Sequence, residues 1–255
     1  MPFSTDALNV LVQEISPTLR FGTLHQLVLQ LGFDFFGFTC WTSFDHRPLL
    51  YSTFPAGWIQ NYKRRQYIDT DPRIDHCRRS IMPIFWTEEF FRPAPGMWED
   101  AQAFGLCNGW SQGAHSEGVF SILDVAREKG GISDEEWYEK AGQVLLLCNL
   151  IHMNQADELK RKIQTLHLSE REIEVLRWSA TGKTAEEVAD ILNLSESTVN
   201  FHARNTILKL GVQNKVAAIA RAARLGLFMT RETHPSAEAT DYGRRATDWP
   251  LAAGA

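Results

Sequence analysis

Residues 168–227 read LSEREIEVLRWSATGKTAEEVADILNLSESTVNFHARNTILKLGVQNKVAAIARAARLGL, a stretch whose helix punctuation is explicit. Ser169-Glu170-Arg171-Glu172 is a capping box, after which Ile173, Leu176 and Ala180 recur at helical spacing. Gly182 ends that helix, since glycine accepts the left-handed conformation of a helix terminus. Thr184-Ala185-Glu186-Glu187 is a second capping box, followed by Val188, Ile191 and Leu192. Asn193-Leu194 breaks the pattern, and Ser195 caps a third helix that runs to about Leu210, where Gly211 closes it. A fourth helix spans about residues 215–225. Four short helices, the second and third joined by a tight turn, match a helix-turn-helix.

The third helix has two faces. Val199, Ala203, Thr206 and Leu210 share one of them, and Ser197, Asn200, Phe201 and Arg204 lie opposite. Asn pairs with adenine and Arg with guanine in a major groove, so the second face suits base reading, with Thr198 beside it. Lys183, Thr184, His202, Lys209 and Lys215 stand where phosphates are neutralised. A helical bundle with a polar exposed face fits the same periodicity.

Charge is divided in the same way. The whole chain of 255 residues has a formal net charge of −5, which by itself argues against nucleic acid. Residues 1–159 hold 12 basic against 20 acidic side chains, a net of −8; residues 160–230 hold 11 against 7, a net of +4; residues 231–255 hold 3 against 4, a net of −1. A basic segment behind an acidic body implies two jobs in one chain. The domains expected are 1–160, 164–229 and a flexible tail, 230–255, rich in Thr, Ser, Pro, Ala and Gly. No apolar run reaches the roughly 18 residues of a membrane span, and no secretory leader or membrane partner is expected. Cys40, Cys77, Cys107 and Cys148 are far apart, as reduced thiols of a cytoplasmic protein are.

The 168–227 stretch resembles the DNA-binding domain of LuxR-type transcription regulators, through its R-E-x-E-V-L, G-K-T-x-x-E-V-A and S-E-x-T-V-x-F-H runs. The resemblance implies structural roles for Glu172, Leu176 and Gly182, a third helix that reads DNA, and dimer contacts through residues 216–223.

In the first 160 residues, periodicity predicts helix (3–31), strand (35–44), strand (48–54), helix (55–67), helix (72–80), an extended stretch (81–87), helix (96–105), two strands (107–114, 117–126) and a long helix (133–158). Helices before and after one antiparallel sheet give an α-β-α sandwich, and an α+β class for the chain. Neither a phosphoacceptor arrangement nor a G-x-x-x-x-G-K loop is present. Trp58 and Tyr62, four apart, share a helix face; Asp71-Pro72 starts the next helix; Trp86 follows in an extended segment. Aromatic walls with polar tips and one carboxylate suit a small, mostly apolar ligand that carries donors and acceptors. Each residue alone also fits a packing role, with Asp71 as a helix cap.

Residues 54–86, FPAGWIQNYKRRQYIDTDPRIDHCRRSIMPIFW, resemble the autoinducer-binding domain of the same family in its LasR-like branch. This implies an N-acyl-homoserine lactone as signal ligand and no other cofactor. By position, Trp58 donates to the lactone carbonyl, Asp71 accepts from the amide N–H, Tyr62 borders the lactone and Trp86 packs on its ring. Ile74, Phe91, Phe104, Leu106 and Ser111 complete the expected ligand site. Phe54 stands where that branch has a tyrosine hydroxyl on the acyl carbonyl. Ser121 is expected to carry the contact instead, with Ser111 or a water as substitute. One lost hydrogen bond weakens binding about threefold to tenfold.

No catalytic or metal site is expected. In Asp75-His76-Cys77, neighbours on a helix do not converge on one point. The first reading is therefore a homodimeric, lactone-responsive transcription regulator on an inverted repeat of double-stranded DNA, with RNA polymerase as a further partner. The second keeps the DNA-binding domain but gives it a non-lactone ligand or none. The third makes the N-terminal domain a lactone- or amide-processing enzyme.

Overall fold

The computed structural model describes residues 3–44 and 47–228; the tail expected over 230–255 lies outside the described residues. The expected single first helix is two. Helix α1 spans Thr5–Gln13 and α2 spans Pro17–Gln30. Ser16 breaks them because the residue before a proline is driven to extended backbone, and its hydroxyl then caps α2.

Strands β1 (Phe35–Thr42) and β2 (Leu49–Ser52) follow, then α3 (Ala56–Arg64), a 3₁₀ turn (Tyr67–Asp69), α4 (Pro72–Arg79), β3 (Ile84–Phe85) and α5 (Pro95–Ala103). The hairpin β4 (Asn108–Ser116) and β5 (Val119–Arg127) leads into α6 (Asp134–Gln164). Helix α6 runs past the expected end at 158. The basic segment follows as α7 (Glu170–Ala180), α8 (Ala185–Leu192), α9 (Glu196–Lys209) and α10 (Lys215–Arg224). These four begin and end within about one residue of the sequence expectation, because each boundary is set by a local cap. Both capping boxes form, and Asn193, Gly182 and Gly211 take the left-handed conformation. One detail differs. Ala180 is exposed, and α7 buries Glu172, Val175, Leu176 and Ser179 instead.

The five strands form one antiparallel sheet in the order β2-β1-β5-β4-β3. Strand periodicity assigns every side chain to one of two faces. Phe36, Phe38, Trp110, Leu123 and Val125 build the large core beneath α2 and α6. Gly37, Ser111, Ile122 and Asp124 face the other layer, made of α3, α4 and α5. The expected α-β-α sandwich is therefore the fold of the first segment.

Helix α4 lies flush on β4 because Gly113 has no side chain. A Cβ there would come within 2.8 Å of the Cys77 carbonyl oxygen.

On the α6 side, buried His152 bridges the hairpin, Nδ1 to the Ser121 hydroxyl at 3.0 Å and Nε2 to the Ser116 hydroxyl at 2.9 Å. Burial, helped by the charge of His115, lowers its pKa from 6.5 to about 4. An unfolded chain takes up this proton near pH 6.5, whereas the folded one resists it down to about 4. Between those values the unfolded state binds more protons, so acidification removes stability. Thermal melts of the wild type should fall across that window, and His152→Gln should flatten this part of the profile. An unchanged slope in the variant would assign the loss to other groups.

Candidate functional site

Between the sheet and the α3–α4 layer lies a partly open, largely apolar cavity of about 60 Å³. Trp58, Ile59 and Tyr62 reach it from α3, Ile74 from α4, and Phe54 from the segment before α3. Gly37 makes room for Phe54, whose ring would stand 2.7 Å from a Cβ at that position.

Its polar wall is an ion cluster. Asp71 caps α4, accepting from the Arg73 backbone N–H at 2.9 Å. The same carboxylate takes the Arg73 side chain, Nε at 3.0 Å and Nη2 at 2.6 Å, and the Tyr62 hydroxyl at 2.8 Å. Asp124 on β5 faces Arg73 Nη1 at 3.3 Å and accepts from the Ser111 hydroxyl at 2.5 Å. Ser111 in turn accepts the Trp86 indole N–H at 2.9 Å, and the Arg73 guanidinium lies 5.0 Å from the Trp86 ring centroid. All three charged side chains are buried. Burial opposes the Arg73 charge, but Asp124 and Asp71 outweigh it and hold its pKa raised. Burial also pushes the Asp124 carboxyl up, with Arg73 pulling against it, and pushes up the Tyr62 phenol beside Asp71.

Most of the expected ligand residues thus meet. Trp58, Tyr62, Asp71, Ile74 and Phe54 line the cavity, and Trp86 and Ser111 support its polar wall. Phe91, Phe104 and Leu106 stand behind, in the aromatic cluster that packs Trp58.

Ser121 does not join them. It is one residue out of phase with Ile122 and Asp124, points to the α6 face and bonds His152. The hydroxyl expected to replace the one missing at Phe54 is therefore on the far side of the sheet. Sequence reasoning also missed Arg73 and Asp124. The period-2 alternation along 119–127 carried the signal for Asp124, since a lone acid within a buried strand needs a partner.

In the basic segment α9 presents Ser197, Asn200, Phe201 and Arg204 to solvent, with Phe201 58% exposed, and buries Val199, Ala203 and Thr206. His202 and Thr198 are partly covered at the edge of that face. Lys183 is exposed but paired with Glu187 at 2.9 Å, the Thr184 hydroxyl is spent as the α8 cap, and Lys215 opens α10.

Lys209 departs from expectation. Its ammonium donates to buried Glu172 at 2.7 Å and to the His167 carbonyl at 2.8 Å, tying α9 to the start of α7. Lys209→Met should lower stability by about 1–3 kcal/mol by leaving Glu172 unpaired. Arg204→Ala should leave the melting temperature unchanged and weaken specific DNA binding by about 1–3 kcal/mol. Melts and anisotropy titrations on specific and scrambled duplexes separate the two; an unchanged preference in Arg204→Ala would remove it from base reading.

Residues 20–154 match the model of the autoinducer binding domain, and residues 166–222 match that of bacterial regulatory proteins, luxR family. The chain is 34% identical to the transcriptional activator protein PhzR of Pseudomonas fluorescens over 77% of this chain and 84% of that one. It is 33% identical to the HTH-type quorum-sensing regulator RhlR of Pseudomonas aeruginosa, over 82% and 89%. The crystal structure of Escherichia coli SdiA superposes with a TM-score of 0.74 at 26% identity, covering 88% of this chain and 97% of that one. SdiA in complex with octanoyl-rac-glycerol superposes with a TM-score of 0.71 at 25% identity, covering 89% and 98%.

Proposed function

Because the chain belongs to the LuxR family of bacterial transcription regulators, with an autoinducer-binding domain ahead of a helix-turn-helix domain, we propose that its signal is an N-acyl-homoserine lactone bound in the cavity under α3 and α4. The observation that carries this reading is the cavity itself, an apolar space closed at one side by a buried polar cluster and bordered by Trp58 and Tyr62. An amphiphile with an acyl tail and a compact polar head has that distribution of chemistry. The cavity of about 60 Å³ is far smaller than the roughly 300 Å³ or more of a ligand pocket. A ligand of this class needs more room than that, so its affinity is coupled to the packing around the cavity.

A second reading, a non-lactone amphiphile, is favoured by the likeness to SdiA, whose complex holds octanoyl-rac-glycerol. Melting with each class of ligand decides between them. Saturation at about 100 times Kd adds about 2.7 kcal/mol of stability, which for a protein of this size raises Tm by roughly 5–10 °C. A rise with one or more acyl chain lengths of the lactone series is expected. A rise with octanoyl-rac-glycerol and none with any lactone would replace the first reading by the second.

The regulator acts as a homodimer in the cytoplasm on an inverted repeat, with α9 in the major groove of each half-site and Asn200 and Arg204 at the base edges. Tyr138, Leu145 and Met153 support a dimer face, lying exposed along one side of α6. Leu145→Glu together with Met153→Glu should shift the sedimentation coefficient to that of a monomer. A dimer that survives both would place the interface elsewhere.

A further inference from the structure

The helix-turn-helix domain is not carried on a free tether. Five residues, 165–169, join α6 to α7, and they are held in place. Leu166 and Leu168 pack against the main apolar cluster, and the His167 carbonyl accepts from Lys209 at 2.8 Å. That cluster passes from one domain into the other, burying Val119 and Leu159 of the first together with Leu176, Leu210 and Leu225 of the second. Close contacts then seat the C-terminal end of α10. The Phe44 ring, just past β1, lies 5.4 Å from the Arg221 guanidinium. The β4–β5 turn adjoins it: a Cβ at Gly118 would stand 3.1 Å from Leu159 and 3.5 Å from the Arg224 carbonyl oxygen, and one at Gly226 would run into the Glu117 carboxylate. The Ser43 N–H donates to the Gly118 carbonyl at 2.8 Å, so both turns form one seat. Seated in this way, the domain still exposes Asn200 and Arg204 on α9, and Val216, Ala220 and Ala223 on α10.

We propose that this seat sets the half-site spacing the regulator accepts, with Phe44 and Arg221 as positioning residues that act through the orientation of α9. The proposal rests on the reading above of a homodimer on an inverted repeat. Each base pair added between half-sites moves them apart by about 3.4 Å and turns one against the other by roughly 35°. Two seated domains cannot follow that change without breaking the contacts at 44, 118 and 226. A domain released from its seat hangs on residues 165–169, which fully extended span about 17 Å, and so follows a shift of several base pairs. Spacing selectivity is therefore a property of the contact between domains as well as of the helix that reads bases.

The test selects a preferred duplex from a random pool with the full chain, in one preparation with N-octanoyl-homoserine lactone and in another with octanoyl-rac-glycerol. Copies of that duplex with one or two base pairs added to or removed from its centre are then titrated by anisotropy. The wild type should lose roughly a hundredfold at two base pairs, the avidity forfeited when geometry forbids both half-sites at once. Phe44→Ala and Arg221→Met should stay within about tenfold of their own optimum across the series, because a tethered second domain still engages. Phe44→Tyr keeps the ring and should keep the wild-type profile. Hydrogen exchange at residues 117–119 and 221–227 should quicken in the first two variants and not in the third. A wild-type profile retained by both Phe44→Ala and Arg221→Met overturns the proposal, as does a seat that opens in hydrogen exchange without relaxing the profile. A profile relaxed by Val216→Glu and by neither of them places spacing in a contact between the two helix-turn-helix domains and also overturns it. Recovery of a lone half-site rejects the inverted repeat and the spacing role with it, whereas an inverted repeat with an unchanged profile rejects the spacing role alone.

Discussion

A guanidinium taken out of water has to be neutralised where it lies, because an isolated buried charge is far costlier than any single contact in the fold is favourable. Arg73 meets that demand with Asp71 on one side and Asp124 on the other. The consequences spread through five elements. Asp71 is the cap that starts α4, Tyr62 donates to it from α3, Asp124 brings in β5, Ser111 brings in β4, and Trp86, just after β3, closes the set through its indole N–H. The layer over the cavity is thus joined to the sheet by charge and hydrogen bonds at one end and by aromatic packing at the other.

The sheet gives its two faces different duties. One is filled by the core beneath α2 and α6, including the His152 bridge across the β4–β5 hairpin. The other is left partly open, and glycines at 37 and 113 replace side chains where Phe54 and α4 come close. One-residue phase decides which duty a side chain has. Ser121 and Asp124 are three apart on the same strand, and one serves the core while the other serves the cavity.

The helix-turn-helix segment works on a different principle. Its boundaries are set within each turn, by Ser169, Thr184 and Ser195 as caps and by left-handed residues at the ends. Val175, Val188 and Val199 then pack α7, α8 and α9 on one another, and one long-range polar contact is specific. Lys209 reaches back to Glu172 and His167, so the last turn of α9 and the entry to α7 are held together, while the side of α9 that carries Asn200 and Arg204 stays exposed.

How much of this the sequence carried follows the range of the forces involved. Caps, helix periods and the alternation of strands act within a few residues, so the four C-terminal helices, the sandwich and the shared face of Trp58 and Tyr62 on α3 were legible from the chain alone. The charge split between an acidic body and a basic segment was legible too, since it needs only counting. Ser121 and Lys209 were misplaced because each role depends on a partner more than 30 residues away. Arg73 and Asp124 lie 51 positions apart; in the sequence they are an arginine after a proline and an acid in an apolar strand. Only the register of β5 beside β4, under α4, makes them a pair. The sequence by itself determined which elements form and what kind of molecule they make. The tertiary structure decided which buried charges face one another, because that depends on distances between elements that no local pattern encodes.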